Sequence, residues 1–231
     1  GGKDPGTMGK RGTKEKDIAL DIVKRVGLLL EKNTSLKVIY TRTEDIFIPL
    51  WRRTKMANEA NGKIFISVHL KGHPNKTAYG FETYLLRPGK TEDTIEVASR
   101  ENDVIKFEDK SKNKYKDLSD EKLIIATMAQ SMQMKESEEL AAMVQEEMAK
   151  KVKSKNRGVK QAGFHVLIGA SMPNILIEAG YIDNLIKAGY LTNSNEEKNL
   201  RNPKYRQTIA NSIYKSIVKF RYSREQYLSE S

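Results

Sequence analysis

The sequence contains no cysteine, and it has only three histidines among its 231 residues. Without cysteine there is neither a disulfide framework nor a thiolate metal site, so any metal ion has to be bound by histidine and carboxylate side chains. No run of about 18 apolar residues occurs, so we expect no membrane-spanning helix. No signal peptide is visible at Gly1, where the sequence opens inside what looks like a motif.

Acidic residues are in the minority, with 30 Asp and Glu against 41 Lys and Arg, and the net charge is +11. Such a balance suggests an anionic partner, whether nucleic acid, lipid head groups or a cell-wall polymer. The basic residues are, however, scattered among acidic ones, which is typical of a solvated lysine-rich surface. We therefore expect no nucleic-acid partner.

Hydrophobic periodicity alternates between helical and strand-like segments. Helices are predicted over residues 17–31 and 48–61, and a last helix begins at Pro203. Strands are predicted over residues 36–40, 64–70, 79–86, 164–168 and 175–177. This alternation predicts an α/β fold with a mostly parallel twisted sheet flanked by helices.

Residues 87–156 differ from the rest because they are charged, rich in methionine and without strand patterning. Helices are predicted near residues 91–106, 120–134 and 136–153. In the last of these, Leu140, Met143, Val144 and Met148 form a stripe at helical spacing, which is more often core than a binding surface. We therefore expect a single domain over residues 1–231 with a mainly helical insertion at about 87–156.

Two strand-like runs end on residues that can do chemistry. His69 closes the run at residues 64–70, and Glu178 follows apolar residues at 174–177. In an open α/β sheet the functional site lies beyond the carboxyl ends of the strands. A lone histidine there often only hydrogen-bonds a loop, but a carboxylate is costly to bury without a partner or a metal ion. The pair together indicates a site.

Several short motifs, in this order and spacing, resemble the zinc-dependent N-acetylmuramoyl-L-alanine amidases of the amidase 3 family. The motifs are the glycine-rich opening at residues 1–6, residues 15–17, 53–58, 66–69, 80–84 and 157–160, and the stretch 173–184. Each motif is modest alone, and the set is specific because it extends over most of the chain.

The resemblance implies a Zn²⁺ site with Glu15 and His69 as two ligands and Glu178 as the catalytic residue. The first histidine ligand of the family would immediately precede Gly1, at the end of a first strand that this sequence lacks. The implied reaction is hydrolysis of the amide bond between N-acetylmuramic acid and L-alanine in peptidoglycan, in cell-wall remodelling or daughter-cell separation. A zinc-bound water has a pKa near 7, and a nearby carboxylate can move its proton.

The sequence departs from the family pattern near the site. Lys71 stands where the family often has asparagine, and Lys63 where it often has an acidic residue, so substrate contacts are in question. His73 is the only nearby substitute for the missing histidine, although we expect both His73 and His165 to be structural. The alternatives are a non-catalytic cell-wall binding module with a degenerate metal site, and a different peptidoglycan metallopeptidase.

The resemblance also raises the question of control. Some relatives carry a helix in the region of the insertion that covers the zinc and supplies an extra glutamate. Glu101 and Glu108 could each play this inhibitory role here, and residues 101–116 could form a mobile flap because few apolar residues anchor them. A protein activator would then be a partner besides peptidoglycan, and the expected location is the periplasm or cell envelope.

Overall fold

The computed structural model describes residues 1–72, 78–109, 115, 123–125, 128, 131–182 and 194–230. The helices are α1 (Glu15–Asn33), α2 (Leu50–Glu59), α3 (Glu92–Asn102), α4 (Met134–Lys151), α5 (Ser194–Arg201) and α6 (Pro203–Glu230). The strands are β1 (Phe65–Lys71), β2 (Phe81–Leu86), β3 (Asn156–Ala162) and β4 (Asn174–Tyr181), and short 3-10 turns lie at Asp103–Phe107, Ser131–Gln133 and His165–Leu167. None of the described helices is long and apolar enough to cross a membrane.

The four strands form one sheet in the order β1-β4-β2-β3. The β1–β4 and β2–β3 pairs are parallel, whereas β2 and β4 are antiparallel. The prediction of an α/β fold with a mostly parallel sheet is therefore confirmed, with one antiparallel pairing at its centre. His69 and Glu178 are register partners across β1 and β4, and Glu82 lies opposite Glu178 on β2.

Both faces of the sheet are covered. One core packs α1, α4 and α6 against the sheet, and the other packs α2 and α3 with the segment after β3 against its opposite face. Three members of the predicted stripe, Leu140, Val144 and Met148, are fully buried in the first core, and Met143 packs against it partly buried. The described elements between residues 87 and 155 are all helical, and α4 belongs to the framework of the sheet.

The first helix forms for reasons that the sequence shows. Ile18, Ile22, Val26 and Leu30 recur on one face and are buried, and Glu15 lies in the first turn, where a carboxylate favours the helix dipole. Helix α3 begins with a capping box in which the side chains and backbone N–H groups of Thr91 and Thr94 bond reciprocally.

Two strand predictions need correction, and one strand was missed. Residues 36–40 form no described strand. Residues 165–167 form a 3-10 turn, because the backbone N–H groups of Leu167 and Ile168 bond locally to the carbonyl oxygens of Phe164 and His165. Strand β3 was not predicted, because its sequence is polar and contains a glycine. It lies at the sheet edge, where one-sided pairing with β2 sustains a strand without apolar alternation.

Candidate metal centre

Three ligand-type side chains converge at the carboxyl end of β1. His69 Nδ1 lies 3.0 Å from Glu15 Oε1 and 2.8 Å from Glu101 Oε2. Glu15 begins α1, His69 is near the end of β1, and Glu101 is in the last turn of α3. The ligand atoms all lie within 4.8 Å of one another. We call these three residues the acidic cluster.

Backbone groups hold Glu15 in place within this cluster. Its Oε2 accepts a hydrogen bond from Thr7 N at 2.8 Å, and its Oε1 accepts one from Leu70 N at 3.3 Å. Gly6, at φ +65°, lies so close that a Cβ there would meet Glu15 Oε2 at 2.5 Å. The glycine-rich opening of the sequence thus lets the backbone approach a candidate ligand.

The electrostatics of His69 show that the cluster favours a cation. Burial opposes protonation, but the carboxylates of Glu101 and Glu15 outweigh it and raise the pKa of His69 well above its ordinary value. Its Nε2 is 3.0 Å from Ser67 Oγ. Since a single Nδ1 hydrogen cannot serve two carboxylates at full strength, a proton satisfies this arrangement less well than a metal ion would.

Glu178 is the neighbouring carboxyl group on β4. It is fully buried, and neither of its carboxyl oxygens has a hydrogen-bond partner among the described residues. Burial first, and the nearby carboxylate of Glu101 next, raise the pKa of Glu178 well above its ordinary value. Buried polar groups are normally hydrogen-bonded, so the two carboxyl oxygens of Glu178 are available to bond a water molecule or a reacting group.

The donor set fits zinc. Imidazole nitrogen and carboxylate oxygen are both common zinc ligands, at about 2.0–2.2 Å from the metal. Ligand atoms in a tetrahedral site of that size lie about 3.3 Å apart. The observed separations of 2.8 and 3.0 Å from His69 Nδ1 to the two carboxylates need to open by only a few tenths of an ångström.

Comparison with known proteins identifies the family. The model of the amidase 3 family, described as N-acetylmuramoyl-L-alanine amidase, matches residues 1–185. The chain belongs to this amidase family. It is 34% identical over 182 residues to the amidase AmiC of Escherichia coli O6:H1, covering 77% of this chain and 42% of AmiC. The chain also spans 61% of the amidase AmiA of Escherichia coli K12, at 29% identity.

Solved structures of amidases share the fold. An N-acetylmuramoyl-L-alanine amidase from Clostridium difficile 630 is 28% identical, with a TM-score of 0.68 over 96% of this chain and 92% of that one. The CwlD amidase from Clostridioides difficile, solved in complex with the GerS lipoprotein, is 25% identical, with a TM-score of 0.67 over 96% of this chain and 94% of that one.

Of the five site residues that the family resemblance suggested, four lie together in the structure and one lies apart. Glu15, His69 and Glu101 meet in the acidic cluster, and Glu178 lies beside it in register with His69. Glu108 is elsewhere: its Oε1 accepts a hydrogen bond from Leu50 N at 2.7 Å, at the start of α2.

The remaining two histidines of the chain offer no additional ligand in the described part of the structure. His73 lies outside the described residues, as do residues 110–114 and 116 of the suggested flap. His165 stacks on Tyr115 at 4.6 Å between ring centroids, and burial lowers its pKa to about 4. The structural role that we expected for His165 stays a prediction.

A groove runs along the free edge of β1 in this amidase fold. Among the described residues β1 pairs only with β4, and its other edge faces a cavity of about 890 Å³. Residues 35–42, which form no described strand, also line this cavity, and so do Gly1, Glu15 and His69. The groove lining is largely apolar and includes Val26, Leu30, Val38, Ile66, Ile213 and Ile217.

Proposed function

We propose that this chain carries out zinc-dependent hydrolysis of the amide bond between the lactyl group of N-acetylmuramic acid and the L-alanine of peptidoglycan stem peptides. One observation carries the proposal: an imidazole and two carboxylates converge to within 4.8 Å directly beside a buried carboxyl group whose oxygens lack partners in the described structure. Membership of the amidase family supplies the reaction. The substrate places the protein in the cell envelope.

Glu15 and His69 are the proposed zinc ligands from the described chain. The proposed third ligand is a histidine immediately before Gly1, at the end of a strand that occupies the groove beside β1. The groove supports this assignment because it lies along the edge of β1 that pairs with no described strand, and because Gly1, Glu15 and His69 all line it. An added strand running towards Gly1 would deliver its last side chain to His69.

The protein side of the chemistry centres on Glu178. Bound zinc supplies an acidified water and polarises a carbonyl oxygen. Glu178 takes the proton of the attacking water and gives it to the nitrogen of the departing L-alanine. Its burial excludes bulk water, and its raised pKa makes it able to hold that proton at neutral pH. Burial opposes ionisation of Glu15, but the hydrogen bond with His69 and those from Thr7 N and Leu70 N lower its pKa and orient its carboxylate.

Glu101 is proposed as an inhibitory residue. As an additional carboxylate in the acidic cluster, it would take the coordination position that a catalytic site leaves open for water. Release would require α3 to move, and a protein that binds α3 would then act as an activator. The structure of CwlD with the GerS lipoprotein shows a relative in complex with a protein partner.

Product analysis on purified peptidoglycan tests the proposal. A version of the chain extended upstream of Gly1 should bind about one zinc ion and release new alanine amino groups without new reducing sugar ends. The chain over residues 1–231 should bind zinc more weakly. Cleavage between stem-peptide residues would identify a metallopeptidase instead, and binding to peptidoglycan without any product would identify a binding module.

A further inference from the structure

A second set of charged side chains lies next to the acidic cluster. Lys71 Nζ is 2.8 Å from Glu82 Oε1, and Lys160 Nζ is 2.6 Å from Glu82 Oε2. Asp93 bridges the same two lysines at 3.4 Å from each. We call Lys71 and Lys160 the lysine pair. Three strands and helix α3 therefore meet in one ion-pair network.

Because this network is buried, its stability depends on the balance between its positive and negative charges. Glu82 is fully buried and Lys71 is 2% exposed, so neither can be left without a counter-charge at low cost. Glu82 compensates one lysine, and Asp93 compensates the other. Asp93 differs from Glu82 because it comes from a helix at the surface and its side chain is 38% exposed. Of the two carboxylates that the described residues contribute to the network, Asp93 is the one that another carboxylate can replace.

The location of the network relates it to the reaction. Lys71 follows His69 by two residues on β1, and Glu82 lies directly opposite Glu178 across the antiparallel pair. Residues opposite each other in such a pair have Cα atoms about 4.5–5.5 Å apart. Along α3, Asp93 and the cluster residue Glu101 are separated by about 12 Å, from the helical rise of 1.5 Å per residue.

We propose that the lysine pair is a subsite for a carboxylate on the peptide side of the substrate, which Asp93 occupies in the free protein. This inference rests on the proposed function and names a specificity determinant for it. A residue in extended peptide spans about 3.3 Å, so a carboxylate in the first two or three residues beyond the scissile bond can reach the lysine pair from the acidic cluster.

Neighbouring side chains add directional polar groups to the subsite. Tyr84 donates its hydroxyl hydrogen to Glu82 Oε1 at 2.9 Å, so Glu82 holds its two lysines in fixed positions. Arg157 lies over the ring of Tyr181 at 5.1 Å, which places a further cation beside the network. Exchanging Asp93 for a substrate carboxylate leaves the charge of the network unchanged, whereas a carboxamide at that position removes one negative charge from beside the lysine pair.

Calorimetric titration with two matched ligands tests the subsite without requiring turnover. The probes are N-acetylmuramoyl-L-alanyl-D-glutamate and its diamide, added to the chain in the presence of a chelator. The carboxylate ligand should bind about tenfold more tightly than the diamide, as expected for charge-assisted hydrogen bonds. Asp93→Asn should widen the ratio further because the internal competitor is gone.

Substitutions of Lys160 and of two control residues distinguish recognition of the ligand's charge from damage to the fold. Lys160→Gln should abolish the preference for the carboxylate ligand, and Lys160→Arg should retain it. Glu92→Gln removes an exposed charge from the same first turn of α3, and Lys150→Gln removes a surface lysine on α4. Both control variants should keep the wild-type preference, and unfolding curves of all variants establish that the fold is intact.

The outcomes distinguish the subsite from the proposed function. Equal binding of both ligands by the wild type and by Asp93→Asn would overturn the subsite while leaving an amidase site that accepts the muramoyl peptide. Binding of neither ligand at millimolar concentration would count against the proposed substrate, and the subsite would fall with it. A preference that survives Lys160→Gln would assign carboxylate recognition to other residues.

Discussion

Replacing Gly6 with alanine should displace Glu15 and weaken the metal centre. Gly6 has φ +65°, and an added Cβ would lie 2.5 Å from Glu15 Oε2 and 2.8 Å from Glu15 Cβ. Gly12 provides a matched control because it has φ +76° with nothing within 4 Å of an added Cβ. Both variants pay for a left-handed backbone, but only Gly6→Ala also forces a candidate ligand to move.

The two costs can be assigned magnitudes. A left-handed conformation costs a non-glycine residue about 1–2 kcal/mol, which is the whole expected loss for Gly12→Ala. Overpacking adds about 1–3 kcal/mol, so Gly6→Ala should lose about 2–5 kcal/mol of unfolding free energy. A misplaced ligand should also lower zinc affinity about 10- to 100-fold, as changes in the groups that orient ligands do.

Urea unfolding in the presence of chelator measures the first effect, because the fluorescence of Trp51 comes from the only tryptophan in the chain. Competition with a chromophoric chelator measures zinc affinity. Equal losses of stability in the two variants, with unchanged zinc affinity in Gly6→Ala, would refute the claim that Gly6 is needed for the close approach to Glu15.

Three further predictions concern individual carboxyl groups. Glu178→Gln in an upstream-extended protein should keep zinc and fold but lose about 10²- to 10⁴-fold in turnover, measured on purified peptidoglycan, because it removes proton transfer. Glu101→Ala should raise basal hydrolysis in that protein, whereas Glu96→Ala, on the exposed side of the same helix, should not. Burial raises the pKa of Glu196 from 4.5 to about 7, so the folded state should lose about 3 kcal/mol of stability as the pH rises through that interval. Glu196→Gln should remove that pH dependence in unfolding curves, and an unchanged slope would contradict it.

The sequence predicted elements whose signal is local. Helix α1 could be predicted because its buried residues recur at helical spacing, and β1 and β4 because apolar residues run up to His69 and Glu178. Those two residues could be paired in advance because functional sites form where strands end. Strand β3 could not be predicted, since it is held by pairing with β2 at a polar edge.

Contacts that depend on where a helix packs could not be predicted from the sequence. Glu101 and Glu108 are equivalent candidates in the sequence, and only the position of α3 separates them. Glu101 reaches His69, whereas Glu108 bonds Leu50 N at the start of α2. Lys71 was noted as a departure from the family pattern, but its pairing with Glu82 requires β1 and β2 to lie on either side of β4.

The acidic cluster and the neighbouring ion-pair network differ in the charge of the ligand that each favours. In the acidic cluster and beside it, three carboxyl groups surround one imidazole, so positive charge is in deficit and a divalent cation is the natural complement. In the ion-pair network, the described residues include two lysines and two carboxylates, and one of those carboxylates is on α3. Movement of α3 would therefore have opposite consequences at its two ends. It would remove Glu101 from the cation site and free the lysine pair for an anion, so that the same displacement would open the metal centre and prepare the site for a substrate carboxylate.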